Sequence, residues 1–296
     1  MIIPPQSMRS ARFESVQKSH AFTLLELLVA MSVLAVLMVL LLSMVDGATK
    51  LWRNSENRVD SYREARAALN LIANDLASLY ASTNQMFFQL DPSNITPAEA
   101  NTLHASGSAN SLFFVSALSA EAQDNTKNKS DLCALGYFMD YARTAPKELH
   151  ESYNLYRFIA SSDPTFIKLQ QGKPPFTNVS ADTEPDTSGQ GSELLARNIA
   201  KFTIQATMIP LDTDGKSKPP EKFQQSAQNP IPDYLDISLT AFNEETANHF
   251  GSQKADWHQE TNPTYQANAR TFTTRVYLPA AAVVKTSPSP TPTPTP

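Results

Sequence analysis

The sequence predicts an α+β protein in which a long N-terminal helix is followed by an antiparallel β-sheet carrying long loop insertions. Three observations predict it: one apolar run near the N-terminus, an amphipathic continuation of helical period, and downstream segments whose apolar residues recur at every second position. The 296 residues are 41% hydrophobic with a formal charge of −5, ordinary values whose information lies in their uneven spread. The acidic balance, with no clustered Lys/Arg surface downstream, argues against nucleic acid as a main partner.

Residues 22–45 read FTLLELLVAMSVLAVLMVLLLSMV, with Glu26 as the only formal charge. A helix of that length reaches about 36 Å, enough to cross a hydrocarbon core of about 30 Å. The run is too long for a secretory signal peptide, whose apolar region spans about 7–15 residues, and SMVDGAT at its end is a poor cleavage site. Flanking charge does not settle topology, because Arg9, Arg12 and Lys18 precede the span while Lys50, Arg53 and Arg58 follow it. A carboxylate inside a bilayer costs about 2.5–3.5 kcal/mol on insertion scales, so Glu26 calls for a functional partner.

After Asp46 and Gly47 the helical pattern resumes. Val59, Tyr62, Ala65, Leu69, Ile72, Leu76 and Leu79 form one apolar face, and Arg58, Asp60, Arg63, Glu64, Arg66 and Asp75 fall on the others. The expectation is a helix from Phe22 to about Tyr80 whose second half packs on a sheet.

Further on, YLDISLTAF alternates Leu235, Ile237, Leu239 and Ala241 with polar residues, and TFTTRVYLP does the same through Phe272, Thr274, Val276 and Leu278. Additional strands are expected over 112–117, 133–141, 153–160 and 194–208. The connections 161–193, 209–232 and 243–269 are long, and long loops in a compact domain are commonly functional, so they are read as partner-selecting surface. The terminal TSPSPTPTPTP favours an extended, polyproline-like chain.

The string KSHAFTLLELLVAMSVLAVL resembles the prepilin motif of type IV pilins and type II secretion pseudopilins: a basic leader, a cut before Phe, then Thr-Leu-Leu-Glu and an apolar helix. The resemblance implies cleavage between Ala21 and Phe22, an N-methylated Phe22, and Glu26 as the fifth mature residue. Where the family usually has Gly before the cut this chain has Ala21, and its leader of about 21 residues is long. The segment SYREARAALNLIANDLASLY resembles the post-membrane helix of J-type minor pseudopilins. Together with DLCALGYFMDY, SYNLYRFIASS, ELLARNIAKFTI and FTTRVYLP it is also similar to the pilin-like cassette protein C family of the Verru/Chthon cassette.

These resemblances imply a pilin-like fold and a structural subunit, not an enzyme, whose partners are a prepilin peptidase, other pilins or pseudopilins and the inner membrane. They divide the chain into a leader (1–21), a transmembrane helix (22–45), its amphipathic continuation (46–80), a periplasmic or exoplasmic β-rich domain (81–280) and a Ser/Thr/Pro-rich tail (281–296). An uncleaved signal anchor bearing an external binding or adhesion domain is the alternative.

Chemical motifs are sparse: no G-x-S-x-G, Walker, HExxH or CxxC pattern occurs, and no catalytic residue, cofactor or metal is expected. The lone Cys133 cannot form an internal disulfide and reads as an inert core thiol. His104, His150, His249 and His258 read as surface residues, since the spacing of His249, Asp256 and His258 fits no zinc pattern. Two acidic stretches are weak calcium candidates. One holds Asp182, Glu184, Asp186, Ser188 and Glu193 but is interrupted by Pro185; the other is the shorter run from Asp212 to Gly215.

Overall fold

A computed structural model describes residues 23–80, 82, 87–91, 109–118, 131–142, 152–176, 179, 190–212, 214–225, 231–251 and 253–278. The leader with Ala21 and Phe22, the acidic positions Asp182 to Ser188, His104, His150 and the tail 281–296 lie outside them. Helix α1 runs Leu24–Ala77. The chain divides into two units, Met1–Arg53 and Asn54–Pro296. In the first, residues 24–52 form an apolar stretch of mean hydropathy 2.9, none of it buried.

In the second unit α1 buries Ala65, Ala68, Leu69, Ile72 and Leu76, the i, i+3, i+4, i+7 stripe of an amphipathic helix. Val59, expected on this face, remains 43% exposed, so the packed stretch starts later. Asp75, expected among the solvated charges, is 4% exposed; it falls beside the buried stripe and meets two partners described below.

The strands divide between two antiparallel sheets. The first has the order β1-β2-β3-β4-β5, with β1 Phe88–Leu90, β2 Leu112–Ala117, β3 Leu132–Ala142, β4 Ser152–Ala160 and β5 Gln190–Ala196. The second has the order β7-β6-β8-β9, with β6 Ile199–Met208, β7 Glu221–Lys222, β8 Tyr234–Ala241 and β9 Arg270–Tyr277. The strand expected over 194–208 is thus two strands. Asn198 adopts φ 56, a left-handed conformation that Asn tolerates better than most residues, and the chain passes there from one sheet to the other. The turn is held by the Asn198 N–H donating to Asn154 Oδ1 at 3.3 Å and the Phe242 N–H donating to the Asn198 carbonyl at 2.9 Å.

One large core joins α1, the inner faces of both sheets and Trp257. A second core lies on the far face of the first sheet, where Phe113, Phe138, Phe158, Phe176 and Val179 are buried together. Gly136 is required here: it faces Phe113 across β2 and β3, and a Cβ on it would lie 2.1 Å from the Phe113 ring.

Two connections contain helices rather than loops alone. Within 161–193, α2 spans Ser162–Gln170 and buries Thr165, whose hydroxyl donates to the Ala160 carbonyl and accepts from the Ala134 N–H. Within 243–269 lie α3 (Glu244–Phe250), a 3-10 turn (Lys254–His258) and α4 (Pro263–Asn268). Asn243 caps α3 by accepting from the Thr246 N–H, and Asn262 caps α4 by accepting from the Thr264 N–H, both at 2.9 Å.

Candidate functional site: the motif helix and its anchorage

The first turn of α1 is fixed by residues of the Thr-Leu-Leu-Glu string. Thr23 Oγ1 accepts from the Glu26 N–H at 3.3 Å, and the Thr23 carbonyl accepts from the Leu27 N–H at 3.1 Å. Thr23 is therefore the cap and Glu26 the third helical residue, the spacing of a capping box. An acid in this turn also offsets the partial positive charge of the helix N-terminus. Glu26 is expected to act between subunits; the cap itself is made by Thr23, legible in the T-x-x-E spacing.

Around Glu26 the helix presents Leu24, Leu25, Leu28 and Met31 at 65–88% exposure. Apolar surface of that extent is unstable in water and is the surface a bilayer or a helix bundle covers.

Residues 16–42, a span containing Ala21, Phe22 and Glu26, match the family model described as the prokaryotic N-terminal methylation motif. The match supports a type IV pilin-like protein. It points to a precursor handled by prepilin peptidase and anchored to a membrane through the apolar helix, and it covers only the N-terminal segment. Comparison with curated proteins gives no match.

The part of α1 in the second unit is anchored by a buried polar cluster that was not expected from the sequence. Arg157 of β4 donates to Asp75 Oδ2 through Nε at 2.9 Å and Nη2 at 2.8 Å, and through Nη1 to Glu193 Oε1 at 2.9 Å. The Tyr137 hydroxyl donates to the same Asp75 oxygen. Burial pushes the Tyr137 phenol well up and the Asp75 charge pushes it further, so it stays a neutral donor. Burial works against the charge on Arg157, but the Asp75 charge and the hydrogen bonds to both carboxylates outweigh it, and the guanidinium pKa rises. Ala68, Ile72, Asp75 and Leu79 stand at steps of four, three and four, and that register was the available sign that Asp75 faces inward.

The remaining candidates resolve individually. Cys133 is fully buried and its thiol is pushed up to about 12 by burial, the state of an inert core cysteine. The Asp212 carboxylate accepts from the backbone N–H groups of Asp214 and Lys216 at 2.9 and 2.8 Å, so its turn is closed by the chain itself. Glu193 pairs with Arg157. His249 is exposed as expected, but His258 is only half-exposed: it packs edge-on against Tyr153 at 4.5 Å, and burial lowers its pKa. Among the described residues no group of three or more His, Cys, Asp or Glu is placed to hold a metal.

Proposed function

We propose that the chain is a minor pseudopilin or pilin-like structural subunit of a type II secretion or type IV pilus-like assembly. Its leader, residues 1–21, faces the cytoplasm and is cut between Ala21 and Phe22. Residues 22–45 then span the inner membrane, 46–80 continue the helix, 81–280 form the periplasmic domain and 281–296 extend from it as a spacer. The subunit is drawn from the bilayer into a filament or its tip, beside other pilins or pseudopilins. The resemblance of its post-membrane helix and later segments to J-type pseudopilins and to cassette protein C supports a place among the minor subunits.

One observation carries the reading: the methylation motif over 16–42 coincides with the capped first turn of an apolar helix whose side chains are uncovered. Cleavage leaves a cationic amine on Phe22, at the positive end of a helix dipole and in a low-dielectric setting. Glu26 of a neighbouring subunit neutralises that amine, so that two charges costly in lipid become one contact between subunits.

Mass spectrometry of the membrane form is the test. A chain beginning at methylated Phe22 is expected; a chain still beginning at Met1, without pilin-type partners, overturns the proposal. Glu26→Leu is expected to leave membrane insertion intact and to reduce co-purification with the other subunits.

A further inference from the structure

The outward face of the second sheet is built in four cross-strand rows. They are Lys201-Thr240-Thr271, Thr203-Ser238-Thr273, Gln205-Asp236-Arg275 and Thr207-Tyr234-Tyr277, in the registers of β6, β8 and β9. Over the first two rows α4 and the turn before it raise a wall, leaving a cleft of ≈ 490 Å³ lined by Thr203, Ser238, Thr271, Gln266 and the Lys201 and Glu260 side chains. Its size falls in the usual range for small-ligand sites, about 300–1,000 Å³, but its lining is not the apolar one most such sites have.

The charges of this face are paired within it. Lys201 Nζ lies 2.5 Å from Glu260 Oε1, and Arg275 holds Asp236 through two bonds of 2.7 and 2.8 Å. Each formal charge is offset by its partner, so the face carries no net charge to draw an anion or a metal ion. What remains is hydroxyl chemistry. Thr240 and Thr271 share one hydrogen bond of 2.8 Å, and Ser238 and Thr273 share one of 3.0 Å. A bond between two hydroxyls consumes one of their two protons, so each pair keeps a donor as well as acceptor lone pairs. Gln266, whose Nε2 donates to the Glu260 carbonyl at 3.0 Å, retains an amide oxygen as acceptor. At the far end of the same face Tyr277 is 65% exposed and offers a ring to the C–H face of a ligand.

We propose that this cleft binds a neutral saccharide. Sugar hydroxyls are themselves both donors and acceptors, and they match a lining that is both, without the net charge that would favour phosphate, sulfate or a cation. Successive rows on one face stand about 7 Å apart, so a short oligosaccharide laid along β9 from Thr271 reaches from the cleft, past Thr273 and Arg275, toward Tyr277. The inference goes beyond the proposed assembly role and does not depend on it.

The test uses the full chain in lipid nanodiscs, free of glycosidic detergent, and saturation-transfer NMR with maltotetraose, cellotetraose and chitotetraose, each with inorganic sulfate as control. At least one sugar is expected to bind with a Kd of about 1 mM or tighter, and sulfate is not. Thr271→Val is expected to weaken binding about fivefold, with a lower thermal midpoint because the buried Thr240 hydroxyl loses its partner, and Thr203→Val, which keeps the β-branched shape, to weaken binding as much with the midpoint unchanged. Gln266→Ala, on the wall rather than the sheet, is expected to do the same. No signal from any of the three sugars, sulfate binding instead, or affinity unmoved by all three substitutions overturns the proposal.

Discussion

The two sheets share one core yet treat their outer faces in opposite ways. The first is covered on both sides: α1 packs on one face, while Phe176, Val179 and α2 close the other over Phe113, Phe138 and Phe158. The second buries only its inner face and leaves Thr, Ser and paired charges outward. Their sequences carry the difference. LFFVSA and LCALGYFM are near-continuous apolar runs, as strands buried on both faces must be, whereas YLDISLTA and TFTTRVY alternate. Among the described residues the second sheet is the one that keeps an open face, and the proposed saccharide cleft lies there.

The sharpest way to break this contrast is at the ion pair joining α1 to the first sheet. Asp75→Ala leaves Arg157 buried beside Tyr137 without its main counter-charge and is expected to cost about 3–5 kcal/mol, read as a fall in the thermal midpoint. The double replacement Asp75→Leu with Arg157→Met is expected to recover most of that loss, because it removes both buried charges together. Next comes Gly136→Ala, whose methyl group collides with the Phe113 ring inside the far core; overpacking of this kind costs about 1–3 kcal/mol. On the open sheet, Ser238→Ala is expected to change stability by no more than about 0.5 kcal/mol, and a loss as large as that of Gly136→Ala would show that this face is covered after all.

The smallest effect tests closure itself. Burial raises the Cys133 thiol from 9.0 to about 12, so at pH 8 the folded protein is expected to resist iodoacetamide while the denatured chain reacts. The sign for stability follows: the unfolded thiol ionises first, so its contribution is intact below pH 9.0 and is lost as pH rises toward about 12.

Much of this architecture was legible in the residues. Period and length marked α1, and alternation marked β8 and β9 with their inner residues Leu235, Ile237, Leu239 and Val276. Three things were not. The break at Asn198 lies inside the apolar string ELLARNIAKFTI, where one left-handed residue redirects the chain without altering the pattern. Helices α3 and α4 are too short for periodicity to register, although Asn243 before two Glu and Asn262 before Pro263 are helix-start signals. The partition of strands into two sheets depends on long-range pairing, such as the exchanged 2.8 Å bonds between Ala109 and Ile204, which no local pattern encodes. Of the candidate site, Glu26 stood out as a charge in an apolar run, and its role between subunits is a proposal; the anchoring role of Asp75 was hidden because its partners, Tyr137 and Arg157, are distant in sequence.

The crossing at Asn198 has a mechanical consequence. Only Arg197 and Asn198 separate β5 from β6, so three Cα–Cα steps, about 11 Å at most, join Ala196 to Ile199. There is almost no slack between the sheets. Tension that pulls them apart must strip hydrogen bonds from β5 or β6 before the linker can lengthen, so the two sheets resist a load as one body.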